Sequence, residues 1–421
     1  MRYSPLKRLI AKATRLTAVL AAILCLFACL DAASAQFKTQ TLDQKRKEAN
    51  DIAVAIIVSG LSCTCARFTE DMRNVVNDLR PNGIRVLPVL GVGGLQNLKD
   101  VLFLRGIDMG IVDQDNLALL KKRDPKLYAD IEQRVQYITK LYNAELHVLA
   151  RNDIKSLADL RGKKVNFNVK EHQTEVTGDH LFSMLNIPVE KTNFDNDEAI
   201  RRLLSGELAA MMIVTGAPQA ALAKLKKEDG VHFVPVDQDS LPGMDFTPVL
   251  SEYLPAEFTN KTYPNLVPEG TSVPTIANRA LLVTYAWPEG SARYNRVAKF
   301  VNEFFGKIDE FHSPARHPKW SEINLWADIP GWTRFKPASR WLASHQQVAR
   351  LGAQLEKEQP ENVQKAIGNM LGSTDGHDLS PSEKEALLNR IKQYLQTNRR
   401  RTKIQAVARR FVTPGIPGEL F

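Results

Sequence analysis

The sequence predicts an α/β protein of two lobes, in which strands and helices alternate along the chain. Short apolar runs alternate with amphipathic segments of helical length from Asp51 to Asp113. The same alternation begins again near Ser156, after two apolar runs on either side of Asn143. Because open α/β sheets bind ligands beyond the carboxyl ends of their strands, we expect a ligand cleft between the lobes at those ends.

In the first half, each predicted strand leads into a helix. DIAVAIIV (51–58) is a buried strand, and ARFTEDMRNVVNDL (66–79) is a helix with apolar residues at helical spacing. IRVLPVL (84–90) is a second strand, LQNLKDVLFLRG (95–106) a helix that ends at a glycine, and IDMGIV (107–112) a third strand. This β-α-β-α-β order favours parallel strands joined by right-handed crossovers.

The second half repeats the pattern and then adds a strand and a long amphipathic helix. Its predicted elements are, in chain order, the helix SLADLRG (156–162), the strand KKVNFNV (163–169), the helices TEVTGDHLFSML (174–185) and DEAIRRLLSG (197–206), the strands LAAMMIV (208–214), VHFVPVD (231–237) and NRALLVTYAW (278–287), and the helix SARYNRVAKFVNEFFGKIDEF (291–311). Trp320, Trp326, Trp332 and Trp341 follow, and we expect them to anchor the final packing of the lobes.

Residues 1–35 have the layout of a secretory signal: a basic lead-in, an uncharged apolar run and small residues at Ala33-Ser34-Ala35. The run from Leu16 to Leu30 is shorter than the roughly 20 residues that span a bilayer. We therefore expect cleavage before Gln36 and a periplasmic protein. An uncleaved anchor helix and a lipoprotein cut before Cys29 are the alternatives.

The charge of the chain does not favour nucleic-acid binding. The formal net charge is +9, and the signal contributes five basic residues and one acidic residue, which leaves about +5 on the mature chain. That excess is scattered until the far C-terminus. There, RRRTKIQAVARR (399–410) contains no acidic residue and is either a solvated helix face or a docking surface for an acidic partner or lipid headgroups.

Two cysteines remain after the signal, Cys63 and Cys65, at the predicted junction of the first strand and the first helix. Four interpretations are open: a nucleophile, a metal site, a disulfide across one residue, or two small side chains that line a pocket. A nucleophile needs a histidine base and zinc needs a fuller ligand set, and the sequence places none of His147, His172 and His180 near the sulfurs. The pocket-lining interpretation is favoured.

Several strand ends carry residues suited to a small ligand. Ser62 and Thr64 precede the first helix, where free N–H groups and the helix dipole favour an anion. Gly93 and Gly94 lie in the GVGGLQN turn after the second strand, which is either a structural turn, the favoured interpretation, or a place where glycines allow the backbone to approach a ligand. The third strand ends near Asp113, and the TGAP turn begins at Thr215.

The order of four segments resembles the TAXI family, the solute-binding subunits of tripartite ATP-independent periplasmic (TRAP) transporters. These segments are GVGGLQNLKDVLFLRGIDMGIVDQD, IKSLADLRGKKVNF, LLSGELAAMMIVTGAPQAAL and SVPTIANRALLVTYA. The resemblance implies a type II periplasmic-binding-protein fold, with two α/β lobes joined by a hinge around a central cleft. It further implies capture of a small organic acid for a sodium-coupled membrane permease, without enzymatic activity.

The resemblance also implies a division into domains. Residues 50–140 and 279–346 form lobe I, residues 141–278 form lobe II, and residues 347–421 form a helical C-terminal extension. Two segments depart from the family pattern. LSCTCAR follows the first strand in place of a run of Gly, Ser and Thr, and VKEHQT replaces the family's PGSGT loop and keeps only Thr174.

The sequence thus predicts a binding protein for a carboxylate-bearing solute, an amino acid or dicarboxylate, with neither cofactor nor metal. The expected ligand-binding residues are Ser62, Cys63, Thr64, Arg67, Gly93, Gly94, Asp113, Lys170, His172, Thr174 and Thr215. Lys170 and Arg67 are the expected counter-charges. The alternatives are an exported receptor or scaffold that acts through its basic C-terminal helices, and a thiol enzyme built on Cys63 or Cys65.

Overall fold

The computed structural model of the chain describes residues 41–80 and 83–355. The chain divides into two compact units, residues 1–52 and 53–421. The first unit contains helix α1 (Leu42–Asp51), which begins with a capping box. Thr41 Oγ1 accepts from Gln44 N at 3.2 Å, and Gln44 Oε1 accepts from Thr41 N at 2.9 Å. The predicted signal and the basic run 399–410 lie outside the described residues.

The second unit contains a mixed sheet with helices on its faces. Its strands are β1 (Ala53–Val58), β2 (Arg85–Leu90), β3 (Met109–Asp113), β4 (Val135–Arg151), β5 (Lys164–Asn166), β6 (Glu190–Thr192), β7 (Ala210–Thr215), β8 (Val231–Phe233), β9 (Leu254–Thr259), β10 (Ser272–Tyr285) and β11 (Thr333–Arg334). Its helices are α2 (Thr64–Val76), α3 (Gly94–Phe103), α4 (Asn116–Arg123), α5 (Ile131–Arg134), α6 (Gln173–Met184), α7 (Asn196–Leu204), α8 (Thr247–Glu252), α9 (Ala292–Gly306) and α10 (Lys336–Leu355). Among the described helices, none combines the length and hydropathy needed to cross a bilayer.

The strands follow the order β2-β1-β3-β10-β4-β7-β5-β6 across the sheet. In addition, β8 and β11 pair with β4, and β9 pairs with β10. β1 is parallel to β2 and β3, and β5 is parallel to β6 and β7, as the alternating pattern predicts. We call the part of the second unit around β1–β3 lobe I and the part around β5–β7 lobe II. The predicted α/β class with two lobes is confirmed.

Two long antiparallel strands connect the lobes. β10 pairs with β3 of lobe I through Ala280–Thr284, and it pairs with β9 through Ser272–Ala277. β4 pairs with β10 between Val135 and Glu145 and then with β7 of lobe II. The two apolar runs predicted on either side of Asn143 are therefore one continuous strand.

Near the middle of β4, the buried Glu145 side chain and the Asn143 backbone have polar partners, which allows polar residues to interrupt the apolar run there. Glu145 forms an ion pair with Lys319, and both side chains are only 8% exposed. Lys319 Nζ also donates to Glu322 Oε1 at 2.6 Å, and Glu322 Oε2 accepts from Asn143 N at 2.9 Å. The turn Pro318–Glu322 is thereby bonded to the strand that joins the lobes.

The tryptophans have different roles. Trp320 is fully buried and stacks on Phe68 of α2, with ring centroids 4.0 Å apart, as the anchoring prediction expects. Trp341 packs edge-on against Phe305 of α9. Trp326, by contrast, is 55% exposed, so the anchoring prediction is wrong for this residue.

Candidate functional site

The lobe I wall of the cleft is the loop between β1 and α2. Gly91 N donates to Val58 O at 2.7 Å, and Ser59 Oγ donates to Val92 O at 3.0 Å, so the loops after β1 and β2 are bonded together. Gly93 has a φ of 96°, a left-handed conformation that favours glycine. A side chain at that position would also meet Ser59 Cβ at 2.9 Å. This wall is consequently built from closely packed backbone.

Cys63 and Cys65 form a disulfide across one residue. The favoured interpretation of two separate side chains is therefore wrong, although Cys63 does line the cleft. Both sulfurs also accept backbone N–H groups: Cys63 Sγ from Cys65 N at 3.2 Å, and Cys65 Sγ from Ser59 N at 3.3 Å. Because the sulfurs are bonded to each other, neither is a free thiolate for nucleophilic attack or metal binding.

The lobe II wall is the segment from Asn168 to the start of α6. His172 is the N-cap of α6, and its Nδ1 lies 3.1 Å from both Thr174 N and Thr174 Oγ1. Thr174 Oγ1 in turn accepts from Val214 N at 2.9 Å. Nδ1 is therefore the acceptor of this ring, and Nε2–H faces lobe I.

His172 joins the two lobes directly. Its Nε2 lies 3.1 Å from Ser59 Oγ, which satisfies the remaining ring proton. Burial lowers the pKa of His172 to about 4, and the nearby Glu175 only partly opposes this effect. The imidazole is therefore neutral at neutral pH, and it occupies the cleft as an uncharged hydrogen-bonding group.

The loop that carries His172 also packs against α3 of lobe I. A side chain at Gly94 would meet Gln173 N at 2.6 Å and Glu171 O at 2.7 Å. Lys99 Nζ pairs with Glu171 Oε1 at 2.5 Å. VKEHQT therefore brings side chains and backbone of lobe II into direct contact with lobe I.

A second group of interlobe bonds surrounds Gln173, whose side chain is buried. Its Oε1 accepts from Asn116 Nδ2 at 2.6 Å, and its Nε2 donates to Asp115 Oδ1 at 3.0 Å. Tyr253 Oη of lobe II donates to Asp115 Oδ2 at 3.3 Å. The lobes are thus closed onto each other by protein–protein hydrogen bonds on this side of the cleft.

Beside these contacts lies an interlobe cavity of about 290 Å³. Lobe I contributes Ser59, Gly60, Ser62, Cys63, Gly91 and Val92, and lobe II contributes Asn168, Val169, His172, Asp195, Asn196, Asp197, Ile213, Val214, Thr215 and Gln219. Among the described residues that line it there is no lysine or arginine. Its polar groups are hydroxyls, amides and the carboxylates of Asp195 and Asp197.

A smaller cavity of about 30 Å³ continues inward from the first and shares Ser59, Cys63, His172 and Thr215 with it. Asp113, Gly93 and Gly94 line this inner cavity. Burial, and then the neighbouring Asp115 carboxylate, raise the pKa of Asp113 well above its usual range. Asp113 Oδ1 has no hydrogen-bond partner among the described residues.

The expected site residues therefore fall into two groups. Ser62, Cys63, His172 and Thr215 line the larger cavity, and Gly93, Gly94 and Asp113 line the smaller one. The hydroxyls of Thr64 and Thr174 are instead buried and bonded to the backbone. Thr64 Oγ1 donates to Gly216 O at 2.8 Å, and Thr174 Oγ1 accepts from Val214 N.

The two expected counter-charges do not line either cavity. Arg67 donates to Ala315 O at 3.0 Å and pairs with Glu70, so its guanidinium lies against the C-terminal segment of lobe I. Lys170 is exposed. Neither side chain therefore lies in the walls of these cavities, and their role as counter-charges stays a prediction.

Sequence reasoning missed Asn168, Asp195, Asp197 and Gln219. Asn168 is the next-to-last residue of the predicted strand KKVNFNV, and Asp195 lies just before the predicted helix DEAIRRLLSG, where its Oδ1 accepts from Glu198 N at 2.9 Å. Gln219 directly follows the TGAP turn. A search of every predicted helix N-terminus in lobe II would have included the two aspartates.

Other cavities and side-chain groups of the described structure are weaker candidates for a ligand site. Another cavity, of about 470 Å³, lies between Asp115, Lys122, His180, Arg279 and Trp332, where opposite charges are mixed. In the described part of the chain, no group of three or more His, Cys, Asp or Glu side chains is placed to hold a metal ion. The cavity of about 290 Å³ is the one that lies at the carboxyl ends of β1, β2 and β7, where α/β sheets bind ligands.

Comparison with known proteins gives a family and several distant structures. No curated protein matches the sequence. The substrate-binding protein of an amino acid ABC transporter is 12% identical over 61% of this chain and 96% of its own, with a TM-score of 0.37. Holo ArgBP from T. maritima is 14% identical over 64% of this chain and 95% of its own, with a TM-score of 0.38. A periplasmic transporter is 12% identical over 69% and 93% of the two chains, with a TM-score of 0.41.

The family match is more extensive. The model of the NMT1-like family matches residues 82–323, which include most of lobe I, all of lobe II and the turn that carries Lys319. That segment is more than half of the chain. The chain belongs to the NMT1-like family.

Proposed function

We propose that this chain is an extracytoplasmic solute-binding protein that encloses one amino acid between its lobes and passes it to a membrane transporter. The observation that carries the proposal is the cavity of about 290 Å³ with walls from both lobes. Its volume is close to the lower end of the range for small-molecule sites, about 300–1,000 Å³. Binding alone is proposed as the activity.

The lining of this cavity favours an amino acid over a dicarboxylate. Asp195 and Asp197 place negative charge at one side, and no lysine or arginine lines the described walls. A second carboxylate on the solute would be repelled by these aspartates, whereas an ammonium group would be attracted to them. The carboxylate of the solute would then be held by neutral donors, as at other anion sites that lack a basic side chain.

The TAXI resemblance supports a TRAP-type permease as the receiving partner and a location outside the cytoplasm. We place the lobe boundaries at 140/141 and 278/279, inside the two strands that join the lobes, so that these strands act as the hinge. The presence of a gene for a large multi-span permease beside the gene for this chain would support the assignment. A neighbouring ATPase gene would favour a different transporter class.

Calorimetric titration of the full chain with amino acids, dicarboxylates and polyols tests the proposed function. We expect saturable binding of at least one amino acid. The variant Ser62→Trp should abolish that binding because Ser62 lines the cavity. Leu61→Trp is the matched control, since Leu61 is 81% exposed and does not line it. A folded protein that binds no solute in the panel would refute the proposal.

One observation favours a second candidate, an exported receptor or scaffold. Glu171, His172 and Gln173 join the lobes through direct protein–protein contacts. A scaffold would need no ligand to stay closed, and it would act through the basic run 399–410. Replacing Arg399, Arg400 and Arg401 with glutamate should then abolish capture of the partner, whereas a solute-binding protein should keep its solute affinity in this variant.

A further inference from the structure

The carboxamide of Gln219 has a fixed orientation at the wall of the larger cavity. The residue is 2% exposed, and its Oε1 accepts from Ala221 N at 2.7 Å and from Leu222 N at 2.8 Å. Two N–H donors at one end identify that end as the oxygen, because an amide nitrogen cannot accept them. The NH₂ group of Gln219 must therefore be the other end.

The backbone of Gln219 is anchored as firmly as its side chain. Gln219 N donates to Tyr263 Oη at 2.7 Å, and that hydroxyl donates to His147 Nε2 at 2.7 Å. His147 Nδ1 lies 3.1 Å from Ile213 O, so the ring proton is on Nδ1 and Nε2 is an acceptor. Burial lowers the pKa of His147 to about 4, which keeps the ring in this neutral form. Gln219 is thus held in place by a chain of buried hydrogen bonds.

The NH₂ group at the end of this chain has no partner. Gln219 Nε2 is buried and makes no hydrogen bond to any described residue, and the residue lines the cavity of about 290 Å³. A buried donor left unpaired is costly, so native proteins pair nearly all of them with protein, water or ligand. Because Gln219 lines the cavity, an acceptor placed there would supply the missing partner.

We propose that Gln219 determines solute specificity by donating from Nε2 to a carboxylate or carbonyl oxygen of the bound solute. This inference rests on the proposed function and gives the solute an orientation. The oxygen end lies against Gln219, and a donor such as an ammonium group lies toward Asp195 and Asp197, which also line the cavity. The chemical class is a small zwitterion, and an α-amino acid is its simplest member.

The variant Gln219→Glu removes the NH₂ donor and changes little else in the shape of the side chain. A glutamate keeps the size of the side chain and keeps an oxygen for Ala221 N and Leu222 N, and it replaces the NH₂ donor with a second oxygen. Titration of the full chain with L-alanine, L-glutamate and L-arginine gives the wild-type affinity for each. For any that binds, we expect affinity to fall more than tenfold in Gln219→Glu, since a site built around a hydrogen bond discriminates strongly when that bond is lost.

Gln133→Glu provides the matched control, because Gln133 is exposed on α5 and undergoes the same change of charge. The Gln133→Glu variant should bind each amino acid with the affinity of wild type. A second readout is the side-chain NH₂ resonance of Gln219, assigned by its disappearance in Gln219→Glu. This resonance should shift when the amino acid binds and should stay unchanged when the corresponding decarboxylated amine is added.

The outcomes separate the inference from the function on which it rests. If an amino acid binds wild type and Gln219→Glu equally well, or binds without shifting the Gln219 resonance, the role of Gln219 is refuted and solute binding stands. If none of the three amino acids binds the folded wild type, the role of Gln219 is refuted, and titration with the wider solute panel decides the proposed function separately.

Discussion

At the residue scale, His172 has a position and a protonation state that suit a closed cleft. Its Nδ1 accepts from Thr174 on its own helix, and its Nε2 faces Ser59 of the other lobe at 3.1 Å. Protonation would turn the Nδ1 acceptor into a donor and would bury a charge. Both effects oppose the closed arrangement, and burial lowers the pKa of His172 to about 4, partly opposed by Glu175.

His172 should make the protein less stable in mild acid. A base whose folded pKa is about 4 binds fewer protons than the unfolded chain, where the histidine pKa is about 6.5. Stability is therefore fully present above about pH 6.5 and is lost as the pH falls toward 4. Between pH 7 and pH 5 this residue alone should account for a loss of about 2 kcal/mol.

Urea unfolding of wild type and His172→Gln at the two pH values measures this contribution. The free energy of unfolding of wild type should fall by about 2 kcal/mol more than that of the variant. Equal pH dependence in the two proteins would mean that His172 is not buried in its neutral form.

At the scale of elements, the N-terminus of α6 closes the cleft on one side. Gln173 bonds Asn116 and Asp115 of lobe I, at 2.6 Å and 3.0 Å, without any solute between them. These bonds limit how far the lobes separate when no ligand is bound. The chain should therefore be more closed in its free state than a binding protein whose lobes touch only through solute.

Gln173→Ala should shift the free protein toward an open arrangement. Each lost hydrogen bond weakens closure by about 1 kcal/mol, and Asp115 and Asn116 lose a buried partner. We expect a larger radius of gyration by small-angle X-ray scattering in the variant. Gln133→Ala, at an exposed position, is the control and should scatter as wild type does. An unchanged radius for Gln173→Ala would show that these bonds do not restrain the lobes.

The pair between Lys319 and Glu145 should matter more for stability than surface ion pairs. Both side chains are 8% exposed, so Lys319→Met leaves a buried carboxylate without its partner, which typically costs about 3–5 kcal/mol. Burial already raises the pKa of Glu145, against the effect of Lys319, so the cost should shrink as the pH is lowered and Glu145 becomes neutral. Thermal unfolding at pH 7 and pH 5 measures both effects.

The exposed pair between Arg80 and Asp78, 2.8 Å apart, supplies the comparison. Arg80→Met should leave the melting temperature unchanged because water screens exposed charges. If Lys319→Met also melted at the wild-type temperature, the ion pair would not hold the C-terminal turn against β4.

At the scale of the whole molecule, the second unit combines two opposing features. Its lobes are joined by direct bonds around His172 and Gln173, and a cavity of about 290 Å³ remains beside those bonds. The contacts made by VKEHQT therefore close one side of the cleft and leave space beside them. What remains lies between α2, α7 and the turn after β7, and its polar lining suits a small zwitterion.

Much of this arrangement was predictable where local periodicity carries the information. β1, β3 and β7 were predicted because each is a buried apolar run bounded by turn residues, and β2 because it is an apolar run, although Val86 is its one buried residue. β4 was taken for two runs because Asn143 interrupts its apolar pattern. The partners of this part of the strand are Lys319, which pairs with the buried Glu145, and Glu322, which accepts from Asn143 N, and both lie far along the chain.

The site was harder to predict because its residues come together only in the folded chain. The disulfide was disfavoured because a bridge across one residue is uncommon, and nothing in the sequence fixes the direction of the two side chains. Gln219 was missed because its role depends on which end of its amide faces the cavity. That direction is set by Ala221 N and Leu222 N, whose positions follow from the tertiary fold.

A crystal structure of the full chain grown with the tightest-binding amino acid of the panel tests the central claim most directly. The account predicts one solute molecule in the cavity between the lobes, in contact with residues of both, with its carboxylate near Gln219 and its ammonium near Asp195 or Asp197. Solute bound instead in the cavity beside Arg279 and Trp332, with the space next to His172 filled by protein, would contradict it.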